Sequence, residues 1–253
     1  MRLKMVQNHL VLLPGLDGTG GLFASFCHSL PEGFIPTVVS YPPDKLLNYQ
    51  QLIPNIREVM PWDQSYTLIA ESFAGPLAIQ FAAAQPEHIK AIVLVASFVR
   101  NPIHPLLEWA RFLVKDSWLQ KPLSESMLKK FFVGEDCPSG LAGQILESIR
   151  SVRSDVLAHR LRLALETDVS QLLRSCEKPI LYLAGTHDKI VGKRGLEGIR
   201  AIKPGVSSVE IDAPHLLLQR KPGEAAAAIQ QFLQRKNLLN LNSREPIPAD
   251  LVV

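Results

Sequence analysis

The sequence predicts an α/β protein: a mostly parallel central sheet flanked by helices, with a helical cap inserted in the middle of the chain. Three observations carry this expectation. Strand-like and helix-like patterns alternate from residue 9 to residue 97. The run Ile89-Lys90-Ala91-Ile92-Val93-Leu94-Val95-Ala96-Ser97 is almost continuously apolar, as are strands buried on both faces of a parallel sheet. Roughly eighty residues without long β runs then precede the next strand, where a dozen or two would suffice. The expected division is a core of residues 1–97 and 178–237, a cap of residues 98–177 and a tail of residues 238–253.

Taken in order, residues 9–14 are apolar and β-rich, and residues 21–30 have helical spacing. Residues 35–40 form a second strand that closes at Pro42-Pro43. Residues 48–60 fit a helix with Leu52, Ile53, Ile56 and Val59 on one face. A strand over Tyr66–Glu71 is followed by a helix over residues 73–81, then by the strand of residues 89–97. Strands joined by helices of this length argue for right-handed crossovers. Helical segments are expected at 104–115, 123–132, 140–151 and 154–174. Apolar strands then end at Gly185 and near Ile211, and a last helix over residues 224–233 is started by Pro222-Gly223. After Asn237 the pattern degrades into an extension expected to be loosely held.

Composition narrows the function classes. In 253 residues the hydrophobic fraction is 47% and the net charge only +3, enough apolar material for one large core. Charges of both signs are interspersed, which argues against a nucleic-acid groove or a polybasic membrane patch. The three cysteines, Cys27, Cys137 and Cys176, are far apart and odd in number, which reads as reduced thiols in a reducing compartment. The apolar run after Arg2 and Lys4 ends at Pro14-Gly15, too short for a signal peptide. No apolar run of about 18 residues suggests a membrane span. A soluble cytoplasmic protein is expected.

Ser72 is the most informative residue. It stands where the strand Tyr66–Glu71 turns at once into a helix, flanked at two residues on either side by Ala70 and Ala74, with Gly75 following. A sharp strand-to-helix turn leaves room only for small neighbours and projects the serine hydroxyl from the sheet end, the geometry of a nucleophile elbow. A hydroxyl nucleophile needs a base. His215, in Asp212-Ala213-Pro214-His215, follows a short strand and leads toward the last helix. The base needs a carboxylate to fix its tautomer, and Asp188 lies just past the strand Ile180–Gly185. An oxyanion needs two N–H donors, one from Phe73 and one from the loop Pro14-Gly15-Leu16-Asp17-Gly18-Thr19-Gly20-Gly21.

Together these stretches resemble the α/β-hydrolase superfamily, its carboxylesterase branch in particular, from about Leu10 to Gln234 apart from the middle insertion. The chain order Ser72, Asp188, His215 is the order of that superfamily and not of chymotrypsin or subtilisin. In the family the oxyanion loop usually carries His-Gly and then the donor residue. Here Pro14-Gly15 stands in that place, so the resemblance gives the donor role to Leu16. Glycine is also usual where Ala70 and Ala74 stand. Against the family, the first strands are expected to be abbreviated.

The resemblance implies a serine esterase acting through an acyl-enzyme, with no cofactor and no metal, on a small ester with an apolar acyl or alcohol part. Trp109, Phe112, Leu113, Trp118, Phe131 and Phe132 of the cap could line its pocket, or serve only to hold the cap helices together. Two alternatives stay open. One is a thioesterase, acyltransferase or haloperoxidase using the same triad, with Arg111, Lys115, Lys129, Lys130, Arg150 and Arg153 as a basic rim for an acyl carrier. The other is a non-catalytic receptor on the same scaffold. Rival motifs fail: the glycine-rich loop lacks the Gly-Lys-Ser/Thr of a P-loop, and Phe23 stands where a dinucleotide fingerprint needs glycine. His187-Asp188 has no partner at metal-ligand spacing. Asp212, three residues before His215, is too near in the chain to reach the far imidazole nitrogen.

Overall fold

The computed structural model describes residues 7–84, 87–101 and 124–240. Among them six strands form one sheet in the order β2-β1-β3-β4-β5-β6. The strands are β1 (Asn8–Leu13), β2 (Phe34–Val38), β3 (Tyr66–Glu71), β4 (Ile89–Val95), β5 (Ile180–Gly185) and β6 (Ser207–Ile211). Every neighbouring pair runs parallel. The order reverses at β1, because β2 and β3 lie on its two sides. In such open sheets ligands bind beyond the carboxyl ends of the strands at the reversal, which is where β1 and β3 deliver Pro14–Gly18 and Ser72.

Side-chain alternation along each strand divides the apolar residues between two cores. Val11, Leu13, Leu68, Ala70, Ile92 and Leu94 face one layer. It is built by α2 (Tyr49–Val59), α3 (Ala74–Ala84), α7 (Ser170–Ser175) and α8 (Gly192–Ile202), through Leu52, Leu77, Leu173 and Ile199. Leu10, Leu12, Ile69, Val93 and Val95 face the other. That layer holds α1 (Ala24–His28), α9 (Leu217–Arg220) and α10 (Pro222–Arg235), through Phe26, Leu217 and Phe232. With both faces covered, β3 is buried at all six positions, which explains why its sequence lacks alternation.

Between β4 and β5 stand α4 (Glu125–Leu128), which continues as a π turn over Lys129–Val133, then α5 (Leu141–Arg150), α6 (Ser154–Glu166) and α7. The sequence predicts one helix over 154–174, but the chain breaks after Glu166. Val169 N–H donates to Val99 O at 2.8 Å and Asn101 N–H to Thr167 O at 3.2 Å. An antiparallel bridge between Arg100 and Asp168 thus captures a segment whose Thr-Asp-Val composition favours helix weakly. The expected helix 104–115, the pocket candidates Trp109, Phe112, Leu113 and Trp118, and the tail from residue 241 lie outside the described residues. No helix of the described residues is long and apolar enough to cross a membrane.

Candidate active site

β3 delivers Ser72 in a strained backbone. Its φ of 50° lies in the left-handed region, which costs a non-glycine residue about 1–3 kcal/mol and persists only where surroundings enforce it. The surroundings are visible. Ser72 N–H donates to Val95 O at 2.9 Å, and the Ser97 hydroxyl donates to Ser72 O at 2.6 Å. Ser97 is itself placed by a second left-handed corner, Ala96 with φ of 45°, and its carbonyl accepts the Tyr182 hydroxyl at 2.8 Å. Gly75 is required by this packing. A Cβ there would stand 2.0 Å from Ser97 Oγ and 2.9 Å from Phe98 O.

The three predicted side chains meet at this corner. His215 Nε2 lies 2.9 Å from Ser72 Oγ, and His215 Nδ1 lies 3.0 Å from both Asp188 oxygens. The His215 and Asp188 side chains are only 4% and 2% exposed. An ionised carboxylate only accepts, so Nδ1 carries the proton and the lone pair of Nε2 faces the serine hydroxyl. Burial pushes the Asp188 carboxyl up. The hydrogen bond and charge of His215, with the N–H groups of Ile190 and Val191 on Asp188 Oδ1, outweigh this and hold it below the usual range. Gly185 lets the acid strand meet the histidine loop: a Cβ there would lie 2.6 Å from the carbonyls of both Ala213 and Pro214. Asp212 instead pairs with His187 at 2.8 Å and is 78% exposed.

After β1 the chain makes a tight turn in which Gly18 N–H donates to Gly15 O at 3.1 Å. Leu16 and Asp17 are its central residues. Neither Leu16 N–H nor Phe73 N–H donates a hydrogen bond among the described residues, and both residues border the same cavity as Ser72 and His215.

That cavity has a volume of about 950 Å³. Its wall is mostly aliphatic and aromatic: Leu128, Phe131 and Phe132 from the α4 region, Ile145 and Leu146 from α5, Leu157 and Leu161 from α6. Phe131 and Phe132 thus both border the cavity, and Phe132 also meets the His215 ring edge-on at 6.0 Å. Polar groups are few. Asp17, Glu71, Arg150, Arg153 and Lys189 border it. No group of three or more His, Cys, Asp or Glu side chains among the described residues could hold a metal ion.

Three neighbours of the site have no sequence signal. Ser97 reads as a strand end, Glu71 as the last residue of an apolar strand, and Arg160 as one charge on an amphipathic helix. Each is buried, at 0%, 2% and 2% exposure.

No family model matches the chain. A pyrrolizixenacetamide deacetylase from Xenorhabdus hominickii is 24% identical over 180 residues, 69% of this chain and 66% of that enzyme, so the chain spans just under two thirds of its length. A pimeloyl-[acyl-carrier protein] methyl ester esterase from Xanthomonas campestris is 24% identical over 247 residues, 88% of this chain and 94% of that one. A solved hydrolase from Oleispira antarctica superposes with a TM-score of 0.75 at 15% identity, covering 90% of this chain and 91% of that one. The chain has the α/β-hydrolase fold. Within that fold, β1, β3, β5 and β6 each end in one part of the cluster just described, which leaves its chemistry to be argued from the residues themselves.

Proposed function

We propose that the protein is a serine hydrolase that cleaves carboxylic esters with a large apolar part. The observation that carries this reading is the unbroken relay from Asp188 through His215 to Ser72 Oγ, at 3.0 and 2.9 Å, opening onto an apolar cavity. Ser72 Oγ attacks the ester carbonyl carbon as its proton passes to His215 Nε2. Asp188 keeps the imidazole in the required tautomer and supports the imidazolium. The carbonyl electron pair moves onto oxygen, which the N–H groups of Leu16 and Phe73 hold. The tetrahedral intermediate expels the alcohol with the proton from His215. Water, deprotonated by the same imidazole, then releases the acid and restores Ser72.

Residues 98–177 act as the cap in this reading, and Phe131 and Phe132 belong to the wall that takes the apolar part of the ester. Three unpaired thiols, Cys27, Cys137 and Cys176, support a reducing, cytoplasmic setting.

A second reading has its own support. Arg150, Arg153 and Lys189 each border the cavity, basic groups that suit an acyl group delivered on an acidic carrier, and one relative acts on a carrier-bound methyl ester by name. A single experiment tests both. Turnover is measured on p-nitrophenyl esters of increasing acyl length and on carrier-bound esters and thioesters of matched length, with Ser72→Ala as control. Rising kcat/KM with chain length on free esters, abolished by the substitution, is expected. Undiminished turnover by Ser72→Ala refutes the mechanism, and a strong preference for the carrier-bound forms selects the second reading.

A further inference from the structure

Arg160 is the bulkiest of the fully buried side chains among the described residues. An interior guanidinium is expensive to desolvate unless its donors are met. Among the described residues no carboxylate meets them. Nη1 donates to Leu16 O at 3.0 Å and to Asp17 O at 2.8 Å, and Nη2 donates to Pro42 O at 2.9 Å. The nearby Asp17 carboxylate is engaged elsewhere, its Oδ2 accepting from Thr19 N–H, the Thr19 hydroxyl and the Ser148 hydroxyl. The guanidinium also lies over the Tyr41 ring at 5.5 Å. Tyr41 N–H in turn donates to Gly18 O and its hydroxyl to Pro14 O.

The carbonyls that Arg160 grips belong to the two central residues of the turn Gly15–Gly18. In a trans peptide the C=O and the following N–H point in opposite directions. Gly15 O is drawn into the turn by Gly18 N–H, so the N–H of Leu16, on the same peptide plane, points out of it. That direction holds only while the next two peptide planes stay fixed, and those are the planes that Arg160 fixes. The approach is close: a Cβ on Gly18, whose φ is +70°, would stand 2.5 Å from Arg160 Nη1. The helix that carries Arg160, α6, also lines the cavity through Leu157 and Leu161. The same helix thus borders the cavity and holds the turn.

We propose that Arg160 is a positioning residue for the oxyanion-binding turn, holding Leu16 N–H toward the reacting carbonyl from across the inserted helices. The proposal rests on the reading of Leu16 as an oxyanion donor. It separates Arg160 from a plain structural tether by what should change. A tether lost alters stability and substrate fit. A misaligned donor weakens the transition state and leaves ground-state binding alone.

The test uses Arg160→Met and Arg160→Lys, with folded protein quantified by circular dichroism and thermal melting. Two quantities are read: kcat and KM on a p-nitrophenyl ester, and the affinity of a trifluoromethyl ketone with the same acyl chain. The ketone carbon bonds to Ser72 Oγ, the proton goes to His215, and the carbonyl electron pair becomes an oxyanion in the hole. Arg160→Met should lower kcat by about 10- to 100-fold, with KM changed by less than about twofold and ketone affinity falling in parallel. Arg160→Lys, whose one ammonium cannot span three carbonyls, should fall between and covers the case in which the methionine variant does not fold. Unchanged kcat and ketone affinity in a folded variant, or losses confined to KM and melting temperature, overturn the proposal. A wild-type protein that neither binds the ketone nor loses activity on Ser72→Ala overturns the triad reading instead.

Discussion

Glu71→Gln should remove an alkaline limit on activity. Glu71 directly precedes Ser72, is 2% exposed and borders the cavity. Its Oε2 accepts from Gln219 Nε2 at 3.3 Å, while its Oε1 and the Oε1 of Gln219 are buried without partners. Two partnerless acceptors call for a proton, and a carboxylic acid at Glu71 supplies one. Burial first, and then the charge of Asp17, push the Glu71 carboxyl up to about 8, against the smaller opposing pull of the Gln219 hydrogen bond. With that value about one tenth of the groups are ionised at pH 7 and about nine tenths at pH 9. The ionised form places a second negative charge beside Asp17 and the oxyanion turn, where it opposes charge developing in the transition state. Background-corrected kcat/KM for a neutral ester should therefore halve near pH 8 and fall to about one tenth by pH 9. Glu71→Gln keeps shape and hydrogen bonding without the charge, so its profile should stay flat through that range. Stability should follow the same group. The native protein holds a proton that the unfolded chain releases at the ordinary carboxylate pKa. Stability should thus decline from about pH 4.5 to about pH 8 and then level off, and the variant should lack that slope. A wild-type profile flat to pH 9.5, or the same alkaline limb in Glu71→Gln, would refute the reasoning.

Asp188→Asn should lower kcat by up to about 10⁴-fold, because an amide at that place can stabilise the wrong imidazole tautomer. Steady-state kinetics check this, and a loss smaller than tenfold contradicts the role. Gly75→Ala should destabilise the protein by about 1–3 kcal/mol, since the new methyl has no room beside Ser97 Oγ. Urea unfolding should show a lower midpoint at unchanged slope, and wild-type stability would mean that the elbow yields more readily than its packing indicates.

The fold and the meeting of three side chains at one corner were readable in the sequence for the same physical reason. Ser72, Asp188 and His215 each follow an apolar strand of a parallel sheet, and parallel strands deliver their ends to one rim. Chain order and small flanking residues did the rest, and the geometry brings the three together. The helix α8 was not readable. Gly192, Gly195 and Gly198 interrupt its apolar spacing, and Gly195 is there because a Cβ would meet Ser97 O at 2.3 Å. The break at residues 167–169 depends on pairing with residues 99–101, a partner no local pattern reveals. Arg160 was the least accessible of all. Its acceptors are backbone carbonyls 144, 143 and 118 positions earlier in the chain, and a carbonyl has no sequence signature. Glu71 was hidden differently: β3 reads as a strand, but nothing in it tells that its last carboxyl meets an amide of α9 and not water.

The most direct test of the account is covalent. A fluorophosphonate probe is incubated with the protein, and the modified peptide is mapped by mass spectrometry. About one probe per chain is expected, attached at Ser72, with labelling abolished in Ser72→Ala and strongly slowed in His215→Ala. Labelling that spares Ser72, or that proceeds at the wild-type rate without the histidine, would contradict it.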